Sequence, residues 1–149
     1  MPPLLTPRLL ALLSTGLALG GLAPLPAASL GEFTQATDVG KIALAGRSEF
    51  RAGQYRVTGS GANIWGKEDA FQFLWKQLTG DLSFSFDVAW AGASKEAHRK
   101  ACAMVRQGLD ADAPYVDVAL HGDGLIELQY RKTKGGETFG IRTPIQAPA

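Results

Sequence analysis

Residues 81–90 show the clearest pattern of apolar and polar positions in the chain. Leu82, Phe84, Phe86, Val88 and Trp90 alternate strictly with small or charged residues. Because the side chains of a β-strand point alternately to opposite faces, this spacing predicts a strand with one apolar face. We expect a second layer of the fold to cover that face.

Many glycines separate further short apolar runs, which is typical of brief strands joined by turns. The pattern therefore predicts an all-β chain. The predicted strands comprise residues 33–37, 41–44, 48–51, 55–60, 71–78, 81–90, 115–121, 125–132 and 138–142.

Two of these strands, residues 115–121 and 125–132, are predicted to form a hairpin. The connection Gly122, Asp123 and Gly124 tolerates the positive φ angles of a tight reversal. Each strand carries an apolar row, and we expect both rows to face the core. The rows are Val116, Val118 and Leu120 on the first strand and Ile126, Leu128 and Tyr130 on the second.

One segment departs from the β pattern. Ala97, Ala101, Met104, Val105 and Leu109 recur at helical spacing, and the surrounding residues 93–107 include good helix formers. Taken alone, this pattern favours a helix.

The N-terminal residues have the layout of a secretory signal peptide. Arg8 precedes an apolar run over residues 9–25, and small residues follow as far as Ala28. A membrane anchor is the alternative, but a span needs about 20 mostly apolar residues, and glycines and a proline interrupt this run. We expect a signal peptide over residues 1–28 and one domain over residues 29–149, exported to the periplasm or beyond, with no stable membrane span after cleavage.

The charge balance argues against nucleic-acid binding. The chain has 15 basic and 14 acidic residues, and removal of residues 1–28 takes away only Arg8, which leaves 14 of each. A neutral domain lacks the electrostatic basis of non-specific nucleic-acid binding. The single cysteine, Cys102, cannot form an internal disulfide, and we predict that it is buried and inert.

Two stretches carry a resemblance to a known family: GSGANIWGKEDAF at residues 59–71 and EAHRKACAMVRQGLDADAPYVDVALHGDGLIELQYR at residues 96–131. They resemble a concanavalin-like (laminin-G or lectin-type) jelly-roll module of secreted bacterial proteins, often appended to a TolB-like β-propeller. The resemblance covers residues 33–149 and implies two packed antiparallel sheets, with residues 100–107 as a strand rather than a helix. Family members continue with further strands, so we expect an incomplete jelly roll whose open sheet edge favours self-association or a partner protein.

A glycine-flanked loop contains the first candidate ligand-binding residues, Trp65, Glu68 and Asp69. An aromatic face stacks on the apolar side of a sugar ring, while carboxylates accept hydrogen bonds from its hydroxyl groups. The alternative is that Trp65 caps the core.

A second candidate group combines basic and acidic residues around the predicted hairpin. Arg106 and Asp117 could face one groove and fix an anionic or hydroxylated ligand, with Arg99 and His121 nearby. Ordinary salt bridges are the alternative explanation.

Metal binding and catalysis find less support in the sequence. Asp110 and Asp112 are weak calcium candidates whose spacing does not match an EF-hand, and two histidines make a zinc site unfavourable. We predict no cofactor. Glycoside hydrolysis needs two carboxyl groups that flank the scissile bond, whereas Glu68 and Asp69 are adjacent and would point to opposite faces of a strand.

These observations favour an exported, non-catalytic module that binds carbohydrate or cell-envelope material. One alternative is a protein-interaction or structural domain, accessory to a Tol-like β-propeller protein, that pairs through its open edge. A glycoside hydrolase-like enzyme is the less favoured alternative.

Overall fold

A computed structural model describes residues 29–92, 94 and 96–148, so the predicted signal peptide lies outside the described residues. These residues contain strands and no helix, which confirms the all-β prediction. No helix able to cross a lipid bilayer is therefore found among them. The strands are β1 (Gln35–Val39), β2 (Arg47–Arg51), β3 (Gln54–Thr58), β4 (Ile64–Trp65), β5 (Glu68–Asp69), β6 (Phe71–Trp75), β7 (Lys100–Arg106), β8 (Tyr115–His121), β9 (Leu125–Arg131) and β10 (Thr138–Gln146).

The strands form several small antiparallel sheets. The largest has four strands in the order β10, β9, β8, β7, and the pairs β1–β6, β2–β3 and β4–β5 form two-stranded sheets. The hairpin predicted around Gly122, Asp123 and Gly124 is β8–β9. Its sequence signal is local, because the glycine turn and both alternating runs lie within 17 residues of one another, from Tyr115 to Arg131.

Register divides the four-stranded sheet into two chemically different faces. The residues of the first, here called the apolar face, are Ala101, Ala103, Val105, Val116, Val118, Leu120, Ile126, Leu128, Tyr130, Phe139 and Ile141. Those of the second, here called the polar face, are Lys100, Cys102, Met104, Arg106, Tyr115, Asp117, Ala119, His121, Glu127, Gln129, Arg131, Thr138, Gly140 and Arg142.

The two apolar rows of the hairpin share one face, since Val116 pairs with Tyr130 and Val118 pairs with Leu128. The expectation that this face is the core side is wrong, because Val116 and Val118 are 42% and 48% exposed. The alternate residues of β8, including Tyr115 and Asp117, are the buried ones. Periodicity identified which residues share a face but not which face the rest of the chain covers.

The helix prediction from this spacing is also wrong in the part of residues 93–107 that the structure describes. Residues 100–106 form β7, as the family resemblance implied. The alternation in β7 is hard to read from sequence because Ala101 and Ala103 on one side are as small as the thiol-bearing Cys102 on the other. Small residues fit either period and so mask a two-residue repeat.

Residues 81–90 are not a strand in the structure, contrary to the prediction. Leu82, Phe84, Phe86 and Val88 are exposed, although the rings of Phe84 and Phe86 stack on the same side with centroids 5.9 Å apart. Alternation specifies the side on which a residue lies but supplies no partner for the backbone, and none of the described strands pairs with this segment. The predicted strand over residues 41–44 is likewise reduced to one bridge, between Ile42 and Gly61.

The β4–β5 hairpin, which the sequence did not predict, is tied to the polar face of the sheet. The ammonium group of Lys100 donates to the carbonyl oxygen of Ile64 at 2.9 Å, and Thr138 Oγ1 donates to that of Gly66 at 2.9 Å. The backbone N–H of Asp69 also donates to the carbonyl oxygen of Ala111 at 2.9 Å. Polar contacts therefore position this hairpin.

Gly61 approaches the backbone next to this hairpin so closely that no side chain fits. A Cβ at Gly61 would overlap the backbone carbonyl group of Ala70. We expect Gly61→Ala to lower the free energy of unfolding by about 1 to 3 kcal/mol, the usual cost of overpacking. Chemical denaturation measures this change, and Gly108→Ala is the control because a Cβ there meets nothing within 4 Å. Equal stability of the two variants would contradict the expected clash.

Candidate functional site

The β4–β5 hairpin points two residues inward and two outward. Ile64 pairs with Asp69 and both are buried, while Trp65 pairs with Glu68 on the opposite side. Glu68 is exposed, and the Trp65 indole is 42% exposed. Trp65 and Glu68 therefore form an outward-facing pair.

Asp69 anchors the hairpin from beneath. Its Oδ1 and Oδ2 accept hydrogen bonds from Arg131 Nη2 and Nη1, both at 2.8 Å, and Oδ2 also accepts one from Arg106 Nη1 at 3.2 Å. All three side chains are almost completely buried. The bidentate Arg131–Asp69 pair has the geometry of the strongest protein ion pairs.

The remaining donors of the two arginines are used within the protein. Arg131 donates to the carbonyl oxygens of Gly66 and Gly136 at 3.0 and 3.1 Å. Arg106 Nε and Nη2 donate to the carbonyl oxygens of Gly108 and Asp110, both at 2.6 Å. Asp69 and Arg106, which the sequence suggested as ligand-binding residues, thus hold the hairpin and the neighbouring loop in place.

Asp117 lies at the centre of the polar face, opposite Met104 and Gln129. Its side chain is buried, and neither carboxylate oxygen has a hydrogen-bond partner among the described residues. Burial raises the pKa of Asp117 to about 7, an effect that the nearby Cys102 thiol and Lys100 ammonium oppose only in part. The thiol stabilises the carboxylate by its proximity, without the geometry of a full hydrogen bond.

Lys100 and Cys102 share this buried environment. Burial lowers the pKa of Lys100, and burial together with Asp117 raises the pKa of the Cys102 thiol well above its ordinary value. A thiol in this state is a poor nucleophile. Cys102 is partly buried, and the arrangement fits the inert role that we predicted for it.

Lys100 connects the polar face to the outward-facing pair. Its Nζ donates to Gln129 Oε1 at 3.3 Å and lies 5.5 Å from the centroid of the Trp65 ring, within the range of a cation–π contact. The ammonium group therefore supports one side of the indole.

Arg99 and His121 lie at the end of the polar face where Lys100 pairs with His121. The Arg99 guanidinium stacks over the Trp90 ring at 4.4 Å. Nδ1 of His121 lies 3.2 Å from the carbonyl oxygen of Leu125, and burial lowers the pKa of this histidine. Both residues therefore have contacts within the chain.

Asp110 and Asp112, the weak calcium candidates, lie beside Lys134. Lys134 Nζ is 2.5 Å from Asp110 Oδ2 and 3.7 Å from Asp112 Oδ1. Their carboxylates therefore take part in ion pairs with an ammonium group. Within residues 29–92, 94 and 96–148, no cluster of three acidic, histidine or cysteine side chains has a metal-binding arrangement.

The structure thus joins most of the predicted site residues through one framework, the polar face and its hairpin. Sequence reasoning missed Arg131, and the available signal was its position in β9 on the same side as Gln129 and Glu127. A charged residue in such a row needs a buried partner. No family model, curated protein or solved structure matches the chain.

Proposed function

We propose that this chain is an exported, non-catalytic module that binds carbohydrate, such as a cell-envelope polymer, through the outer side of the β4–β5 hairpin. The outward-facing pair of Trp65 and Glu68 carries the proposal. A concanavalin-like sandwich is the architecture that we propose around it, in keeping with the resemblance at residues 59–71 and 96–131.

The pair has the two chemical elements of sugar recognition at a suitable separation. Side chains directly opposite each other in an antiparallel pair have Cβ atoms about 4.5 to 5.5 Å apart. An indole and a carboxylate at that spacing can contact one pyranose ring together. The indole stacks on the C–H face, and the carboxylate accepts hydrogen bonds from hydroxyl groups.

The anchoring of the hairpin favours binding, because a preorganised site loses less conformational entropy when its ligand arrives. Asp69 fixes the inward side of the hairpin to two arginines, and Lys100 supports the Trp65 ring. The exposed side chains therefore stand on a rigid base.

Hydrolysis is less favoured than binding. Asp117, whose pKa of about 7 would suit a general acid, has both carboxylate oxygens buried. A general acid must reach the glycosidic oxygen, and a buried carboxyl cannot do so. Release of reducing sugar from β-glucans by the wild-type chain, abolished in Asp117→Asn or Glu68→Gln, would contradict a non-catalytic role.

Trp65→Ala is expected to weaken carbohydrate binding by roughly 30-fold or more, the loss typical of an aromatic hot spot. A glycan array selects the ligand, and isothermal titration calorimetry measures its affinity for both chains. Phe84→Ala is the matched control, because Phe84 is an exposed aromatic residue outside the hairpin. Its affinity should equal that of the wild type.

Glu68→Gln separates the two parts of the proposed site. The amide keeps the size of the side chain but loses the charge that strengthens hydroxyl hydrogen bonds, so we expect a smaller loss of affinity than for Trp65→Ala. If the wild-type chain binds no glycan, or binds equally well without the indole, the carbohydrate proposal is wrong. A protein partner at an open sheet edge would then be the better explanation.

A further inference from the structure

The apolar face of the four-stranded sheet has no cover among the described residues. Val105, Val116, Val118, Phe139 and Ile141 are between 42% and 56% exposed, and none of the positions on this face is charged. Contiguous exposed apolar surfaces of this kind mark interaction sites in soluble proteins. The partner surface must be apolar too, because a charge buried against this face would have no counterpart.

The side chains of the apolar face become larger from one edge of the sheet to the other. Its β7 edge carries Ala101 and Ala103, whereas β9 and β10 carry Tyr130, Phe139 and Ile141. A twofold axis parallel to the strands would place the bulky β10 edge of one copy over the small β7 edge of another. Such a face is complementary to itself, and aligned packing of two sheets is a common arrangement.

The area and charge of the apolar face suit a weakly associating second copy. Four strands about 4.8 Å apart and about seven residues long, at about 3.3 Å per residue, give a face of about 400 Å². Two copies would bury about 800 Å² in total, which is below the range of stable specific interfaces and therefore suits only a weak, reversible dimer. The chain carries a formal net charge of only +1, so electrostatic repulsion between copies is weak.

We propose that this face is a homodimer interface, in which two copies pack sheet on sheet with Ala103 of each copy opposite Ile141 of the other. The association differs from pairing along an open edge. The outer strand β10 contains Pro144, and its pairing register shifts between Arg142 and Gln146. Both features discourage a further strand at that edge.

Analytical ultracentrifugation of the chain, purified as the producing cells process it, tests the proposal. We expect a reversible monomer–dimer equilibrium with a Kd on the order of 10 to 100 µM, as suits a small interface. Ile141→Lys should weaken dimerisation at least about tenfold, because it buries an unpaired charge. Val57→Lys adds the same charge at an exposed position on β3 and should leave the Kd unchanged.

Cross-linking tests the orientation. In a Cys102→Ser background, the double variant Ala103→Cys/Ile141→Cys should yield covalent dimers with a short bismaleimide reagent, and each single variant should not. Within one copy these positions are three strand spacings apart, about 14 Å. A monomeric wild-type chain overturns the proposal. A dimer that survives Ile141→Lys but is lost when proline replaces a residue of β7 places the contact at an edge and overturns it as well.

Discussion

Asp69→Ala is expected to lower the free energy of unfolding by about 3 to 5 kcal/mol, the usual cost of breaking a buried ion pair from one side. The substitution removes the acceptor shared by Arg131 and Arg106 and leaves two buried guanidinium groups without their anion. Their other hydrogen-bond partners are backbone carbonyl oxygens, Thr138 Oγ1 and the Met104 sulfur, which carry no compensating charge. The β4–β5 hairpin would also lose its inward anchor.

Urea denaturation monitored by circular dichroism measures this change. Glu137→Ala is the matched control, because it removes a carboxylate that also contacts the β4–β5 hairpin, through an exposed Lys67–Glu137 pair at 3.5 Å. Exposed pairs contribute about 0 to 1 kcal/mol. If Asp69→Ala costs no more than Glu137→Ala, the buried ion pair does not hold the hairpin to the sheet.

The parts of the fold that could be predicted from sequence are those whose signals are local. The β8–β9 hairpin follows from a glycine turn between two alternating runs, and its register places Val118 opposite Leu128 as the pattern requires. By contrast, residues 81–90 alternate equally well and yet form no ladder among the described strands. A pairing partner is a non-local property, and no period in a segment specifies it.

The exposed residues of the candidate site could be predicted from the sequence, whereas the buried contacts beneath them could not. Trp65 and Glu68 lie on β4 and β5 on either side of a tight turn, in which Gly66 has a φ of 66°, a conformation that favours glycine. Asp69 could be placed on the opposite side by alternation alone. Its main partner Arg131 lies 62 residues further along the chain, so only the assembled sheet reveals that Asp69 anchors the hairpin.

The polar face implies a stability that depends on pH through Asp117. The pKa of this carboxyl is about 7 in the folded chain against an ordinary value of 3.8, because burial penalises the charged form. The native state therefore binds the proton more tightly than the unfolded state, and stability falls as pH rises from about 4 to about 7. A pKa difference of about 3 between the folded and unfolded states corresponds to a loss of about 4 kcal/mol of unfolding free energy over this pH range.

Asp117→Asn should remove this dependence, because the amide stays neutral throughout the range. We expect the variant to resemble the wild type at pH 4 and to exceed its unfolding free energy at pH 8 by about 4 kcal/mol, less the cost of any unpaired amide group. The difference in unfolding free energy between the two chains separates the contribution of Asp117 from those of Lys100, Cys102 and the other groups that face it. Denaturation at several pH values measures it.

Asp87→Asn is the control for the change in net charge, since Asp87 is exposed and lies outside the sheet. It should leave stability nearly unchanged at pH 4 and pH 8. The difference in unfolding free energy between the wild type and Asp117→Asn could instead be the same at pH 4 and pH 8. That result would show that the carboxylate has hydrogen-bond partners in solution. The polar face would then have to admit water or a hydrogen-bond donor at Asp117, and a catalytic role for this carboxyl would no longer be disfavoured.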